Sequence, residues 1–346
     1  TPNWAMGMLR AMNTARTIGQ GNRSNNPIIL INFIYFLDMR HSYRQLEVFV
    51  ATAREGSLSR AAAHIALSQS AASTALGELE RQFGTALFDR VGKSLRLNAL
   101  GTQLLPKAVA ILDQAAELEQ LLAGGAGFGH LKVGATLTIG NYLAVLVVAD
   151  FLRRHPDSRV YLEARNTASI VHDVANLELD LGLIEGRCND PAVVTTPWVN
   201  DELVVFARPD HPLAGHGPVA LQKLLGEPWI LRESGSGTRQ AVEQALREHF
   251  SALTIRMELE HTEAIKRAVE AGLGIGCISR LALRDAFRRG SLVALECPEL
   301  DLRRAFQFVW HRHKHQSAGA REFVALCRAL TAGVAHSDLI ALPQSP

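Results

Sequence analysis

From Tyr43 to Phe83 the sequence has a helical period that stops twice, and this spacing confines the segment to a compact trio of short helices. Leu46, Phe49 and Val50 recur at intervals of three and four, the signature of one apolar helix face. Gly56 is suited to close that helix, and Ser57 stands where the next one needs a cap. The run from Ser59 to Ile65 is rich in alanine, so a neighbouring helix can cross it closely. Ser68 precedes a third helix expected over Gln69–Phe83, with Ala72, Leu76 and Leu79 turned inward. A tight turn between the second and third helices is the helix-turn-helix layout.

Residues 88–98 (FDRVGKSLRLN) alternate basic and apolar positions around Gly92, as a short hairpin does. Residues 40–99 hold eight Lys/Arg against five Asp/Glu, whereas the whole chain is nearly balanced at 36 against 34. Any case for a nucleic-acid partner therefore rests on local placement and not on net charge. A long helix follows from Ala99 to Leu122, with an apolar stripe through Leu104, Leu105, Ala108, Ile111, Leu112, Ala115, Leu118 and Leu122. Nothing nearby in sequence covers that stripe, so pairing with the same helix of a second copy is expected.

GGAGFG (124–129) reads as a hinge, and beyond it strands and helices alternate. Strands are expected at 131–135, 159–164, 181–184, 202–207, 229–231, 255–259, 275–278 and 304–310. Helices are expected at 141–154, 170–176, 238–249, 263–271 and 318–330. This alternation implies an α/β fold of two similar lobes with a ligand crevice between them. The expected division is an extension over 1–38, a winged helix-turn-helix over 40–98, and a linker helix over 99–123. The hinge over 124–129 leads into one lobe from 130–203 and 304–332, a second from 204–303, and a tail over 333–346.

Residues 43–330 closely resemble the LysR-type transcriptional regulators. The resemblance rests on RQLEVFVATAREGSLSRAA, ALSQSAASTALGELERQFGTALFDR, LRLNALG, LELDLGLIEG and ESGSGTR…EAIKRAVEAGLGIGCISR, in that order. ESGSGTR looks like the branch that includes regulators of sulfur assimilation and carbon fixation. The resemblance implies a winged helix-turn-helix, a dimerising linker helix and a periplasmic-binding-protein-like effector domain, assembled as a dimer and then a tetramer on promoter DNA, with RNA polymerase as a further contact. The chain departs from the family pattern at Ser70, where proline is typical, and at Asn98, where threonine is.

Gln69, Ser70, Ser73 and Thr74 fall in the first turns of the third helix, the part of such a motif that meets base edges and phosphates. Arg90, Lys93 and Arg96 are expected to grip phosphate or the minor groove from the hairpin, and Arg44 to touch backbone. The plain alternative for all of them is solvated surface. In the lobes, Thr136, Thr138, Asn166, Thr167, Ser169, Ser234, Ser236, Thr238 and Arg239 fall at strand ends that precede helices. Hydroxyls and free helix amides gathered on one crevice favour a small anion as effector. The alternative is ordinary helix capping.

Other classes are disfavoured. GLGIG (272–276) precedes an expected strand and not the helix that a dinucleotide loop needs. His311, His313 and His315 lack accompanying ligands, and no metal or cofactor is expected. No catalytic triad or carboxylate pair can be placed in the crevice, which argues against a small-anion-binding α/β protein or an enzyme with an accessory helical domain. Cys188, Cys277, Cys297 and Cys327 stand apart, as buried thiols in a reducing cytoplasm do. Pro27–Leu37 is apolar but only about half the length of a membrane span; Met39 is a candidate start for the folded part.

Overall fold

The computed structural model describes residues 41–92, 94–122 and 128–341. The expected extension with its Pro27–Leu37 segment, Lys93, residues 124–127 of the hinge and 342–346 of the tail lie outside these. Three helices open the described chain: α1 (Tyr43–Glu55), α2 (Leu58–His64) and α3 (Gln69–Phe83). Ser42 and Gln45 cap α1 reciprocally, and Gly56 ends it at φ 60°. Ser68 accepts from the Ala71 amide and so caps α3. Ser57 occupies the cap position of α2 but makes no side-chain cap bond, contrary to its expected role. Strands β1 (Phe88–Val91) and β2 (Ser94–Leu97) pair antiparallel as the hairpin. Phe49 is fully buried at the centre of this head, edge-on to Phe88.

The linker helix α4 (Ala99–Leu122) corrects one expectation. Its apolar stripe is divided along its length. Ala108 and Val109 are buried in the head's own core, with Leu104, Leu105 and Leu112 packed beside them. Ile111, Leu118 and Leu122 remain exposed, at 38%, 55% and 78%. The helix thus has a local partner over its first half and lacks one only along the remainder.

The rest of the described chain is two α/β lobes built on one continuous run of strands, in the order β4-β3-β5-β11-β6-β9-β7-β8, with β10 added beside β6. The first lobe contains β3 (His130–Thr136), β4 (Arg159–Arg165), β5 (Leu181–Glu185) and β11 (Arg303–His311). Its helices are α5 (Val145–Arg154), α6 (Thr167–Ala175) and, late in the chain, α11 (Ala318–Leu330). β6 runs from Val193 to Ala207 and crosses between lobes, so its first half, unassigned in the sequence reading, pairs with β11 and its second half with β9. The second lobe holds α7 (Leu221–Leu225), β7 (Pro228–Arg232), α8 (Gly237–Ala245), β8 (Thr254–Leu259) and α9 (Thr262–Glu270). It is completed by β9 (Ile275–Ser279), α10 (Arg280–Arg289) and β10 (Val293–Leu295). Each lobe has its own apolar core, one around Phe151, Phe306, Phe308 and Phe323, the other around Trp229, Leu231 and Ile275. Parallel strands at the heart of each lobe end together at the crevice, as ligand sites in such sheets require.

Candidate functional site: an interlobe cleft and a helical reading head

Three charged side chains that the sequence reading left without a role sit at the bottom of the cleft. Glu185 ends β5 and is 1% exposed, Asp201 lies in the crossing strand β6 at 0%, and Arg304 is the second residue of β11 with its side chain 4% exposed. Arg304 Nη1 lies 2.9 Å from Glu185 Oε2, and its Nε donates to Asp201 Oδ2 at 2.7 Å. The other Glu185 oxygen, Oε1, accepts from the Thr138 amide at 3.2 Å. Thr238 Oγ1 donates to Glu185 Oε2 at 2.9 Å while accepting from Arg304 Nη1 at 3.0 Å. One carboxylate from the first lobe is therefore held by the Thr238 hydroxyl in the first turn of α8, by the Thr138 main-chain amide and by a buried guanidinium. Ser279 and Ser337 both donate to Asp201 Oδ1.

The electrostatics follow from one cation serving two buried anions. Burial works to raise the Glu185 pKa, but Arg304, the Thr138 bond, the charge of Arg232 and the Thr238 bond together hold it below the usual carboxylate value. For Asp201 burial wins over Arg304 and the two serines, with Glu185 adding like-charge repulsion, and its pKa is raised. Two buried polar atoms in this region have no hydrogen-bond partner: Thr136 Oγ1 and Arg304 Nη2. Buried donors left open in this way are costly unless something else engages them.

The lobes meet by backbone as well. Thr167 Oγ1 donates to the Glu185 carbonyl at 3.0 Å and accepts from the Gly237 amide at 3.1 Å. The Ala168 amide donates to the Gly235 carbonyl at 3.1 Å. A β-carbon on Gly237 would stand 2.0 Å from the Glu185 carbonyl oxygen, so only glycine allows this approach.

Thr136, Thr138, Thr167, Ser236 and Thr238, five of the residues singled out in the sequence, are buried here. Ser236 accepts from the Thr238 amide and caps α8, Asn166 accepts from the Ser169 amide and caps α6, and Ser234 is exposed. Arg239 is the exception. Its guanidinium is taken up by Glu243, Glu258 and the Arg232 carbonyl and lies over the Phe250 ring, so it supplies no free donor to the cleft. Glu185, Asp201 and Arg304 did leave a trace in the sequence: each is a charge bordering a strand-forming apolar run, Glu185 alone in LGLIE, Asp201 beside Glu202 in DELVVFA and Arg304 beside Arg303 in RRAFQFVW. Cys277 is buried within β9, and burial pushes its thiol up to about 12, away from reactivity.

On the head, Gln69, Ser70, Ser73 and Thr74 are all exposed on the first turns of α3. Arg44 is exposed and paired with Glu47 at 3.1 Å. The hairpin register sets Arg90 opposite Leu95 and Arg96 opposite Asp89. Alternation along a strand then puts the two arginines on opposite faces of the ribbon, both exposed.

Replacing Glu185 by Gln should destabilise the fold by about 3 kcal/mol at neutral pH, because Arg304 then keeps one fewer partner in a dry site. The depressed Glu185 pKa makes this contribution present above the ordinary carboxylate value and lost as pH falls through its lower folded value. Thermal melts of wild type and Glu185→Gln should therefore converge on acidification; a constant difference down to pH 2 contradicts the assignment.

Known proteins share this arrangement. Residues 43–102 match the bacterial regulatory helix-turn-helix protein, lysR family, and residues 124–332 match the LysR substrate binding domain. The chain is 43% identical over 289 residues to the HTH-type transcriptional regulator YeiE of Escherichia coli, covering 84% of this chain and 98% of that protein. It is 36% identical over 291 residues to the RuBisCO operon transcriptional regulator of Allochromatium vinosum, covering 83% and 96%. Among solved structures, the Synechocystis CcmR regulatory domain in complex with 2-PG matches at 30% identity and a TM-score of 0.56, over 60% of this chain and 99% of that one. The helical head, long linker helix and two-lobed cleft therefore belong to a LysR-type transcriptional regulator, with RuBisCO operon regulators among its relatives.

Proposed function

We propose that the effector is a small oxyanion or carboxylate and that it competes with Glu185 for the donors of the cleft. The observation that carries this reading is the Glu185 carboxylate itself. It draws on a main-chain amide, a threonine hydroxyl and a guanidinium, the donor set that an external anion needs. Thr136 Oγ1 and Arg304 Nη2 stand buried and unpartnered beside this set, which leaves donors for a ligand larger than the carboxylate. Thr136, Thr138, Asn166, Thr167, Ser169, Ser236 and Thr238 form the polar lining, with Ser234 at the rim. A ligand taking over these donors frees Glu185, which changes how tightly the lobes are tied and shifts the population of lobe arrangements.

The head reads promoter DNA through Gln69, Ser70, Ser73 and Thr74, while Arg90, Lys93, Arg96 and Arg44 hold the phosphate backbone. A second copy covers the remaining stripe of α4. An apolar groove lined by Leu79, Phe83, Leu87, Leu100, Leu104 and Ile111 runs beside that stripe. Two heads joined this way bind half-sites with dyad symmetry, and two dimers make the tetramer. RNA polymerase is the partner that DNA-bound tetramers would meet at a promoter, in the cytoplasm.

Calorimetric titration of the full chain with sulfur oxyanions, phosphate and small dicarboxylates should give saturable binding by at least one of them. Thr238→Val should weaken it about tenfold, and Glu185→Gln should strengthen it by removing the competitor; unchanged affinity in both variants removes the site. Leu118→Glu should convert the assembly to smaller species in sedimentation, and persistence of the wild-type assembly would place the dimer contact elsewhere. Neutralising Arg90 and Arg96 together should reduce the salt dependence of operator binding by about two phosphate contacts, a slope change of roughly 2. An unaltered slope would take the hairpin off the DNA.

A further inference from the structure

One helix reaches from the cleft to the reading head. The amino-terminal end of α6 is bound into the interlobe contact through Thr167, which accepts from the Gly237 amide, and Ala168, whose amide donates to the Gly235 carbonyl. Nine residues later the helix runs out into Asn176 and Leu177, a rise of about 13 Å along its axis. Leu177 is 2% exposed, yet its side chain is not in the core of its own lobe. It joins the apolar cluster of the head, with Leu46, Phe49, Ala108 and Val109. The Leu177 carbonyl is also engaged, accepting from Arg54 Nη2 of α1 at 3.1 Å.

The backbone at Leu177 makes this seat more telling. Its φ is 60°, the left-handed conformation that helices commonly end on and that normally falls to glycine. A leucine there is strained, and a side chain kept at such a position is held by what surrounds it. A second strut lies alongside. Lys314, which follows β11, has its side chain only 8% exposed and bridges Asp180 in the first lobe and Asp113 on α4, the latter at 3.4 Å.

We infer that α6 couples the cleft to the head, and that Leu177 is the positioning residue through which movement of the first lobe reaches α1 and α4. The inference rests on the cleft being the effector site. The covalent hinge alone would leave the head free to ignore the lobes; a seated side chain and a hydrogen bond make the head follow α6. Because Arg54, Leu46 and Phe49 lie on the helix that packs against α3, a shift of Leu177 reorients the reading surface without touching DNA.

Hydrogen exchange of the full chain tests this without any ligand. Glu185→Gln loosens the cleft from within, and Leu177→Gly removes the seated side chain while suiting the positive φ. In the otherwise wild-type chain, Glu185→Gln should speed exchange of amides in 46–52 and 105–113 at least threefold. In the Leu177→Gly background the same change should alter those amides less than twofold. No effect on the head in the first case, or an equal effect in both, overturns the link. If Leu177→Gly itself melts the head, Arg54→Ala serves in its place, since it leaves the side chain seated and removes only the carbonyl bond. It should transmit about half the effect, and an undiminished effect again overturns the link. Since the perturbation is built into the cleft, failure of the anion titration leaves this result standing, and the reverse also holds.

Discussion

Arg304 pairs with Glu185 at one nitrogen and Asp201 at another, both in sites closed to water. Removing charges from water costs several kcal/mol each, and geometry has to recover that cost. It does so here by drawing on both lobes: Glu185 from the end of β5, Asp201 from the crossing strand, Thr238 from the start of α8. The closed relation of the lobes depends on this cluster. With two anions to one cation, the cluster is also poised, since Glu185 is stabilised as the anion while Asp201 is not. A cleft tied by an internal carboxylate is one that an external anion can untie.

The head is economical in a related way. Its small core cannot close on three short helices alone, and the first half of α4 completes it through Ala108 and Val109. Leu177, donated by the first lobe, completes it further. The reading helix is therefore built on a core to which the linker helix and the effector domain both contribute. Stability of the head and its orientation toward the lobes are for that reason not separate properties.

Much of the fold was legible because its signals are local. The cap at Ser68, the glycine stop at Gly56 and the three-four spacing act within a turn or two, and α1 and α3 formed where they predict. The polar strand ends at Thr136, Thr138, Asn166, Thr167, Ser236 and Thr238 were visible for the same reason. Arg239 misled because a cation in the first turn of a helix has no sequence mark for the direction of its side chain; Glu243 one turn on, and Glu258 on β8, claimed it. Ser57 had the right place for a cap without the bond.

The order of residues along the chain determined the family, the helix-turn-helix and the alternation that makes two lobes, since each is a matter of period, cap and turn. Tertiary structure decided which hydroxyls face one another and that Glu185, Asp201 and Arg304, as far apart as 119 positions, become one cluster. It also decided that the linker stripe is half spent on the head, and that a leucine at the end of α6 belongs to another domain's core. These are contacts between segments remote in sequence. Pairing of that kind is set by the register of β5, β11 and β6 and by what each buried charge must find, and no local pattern encodes either.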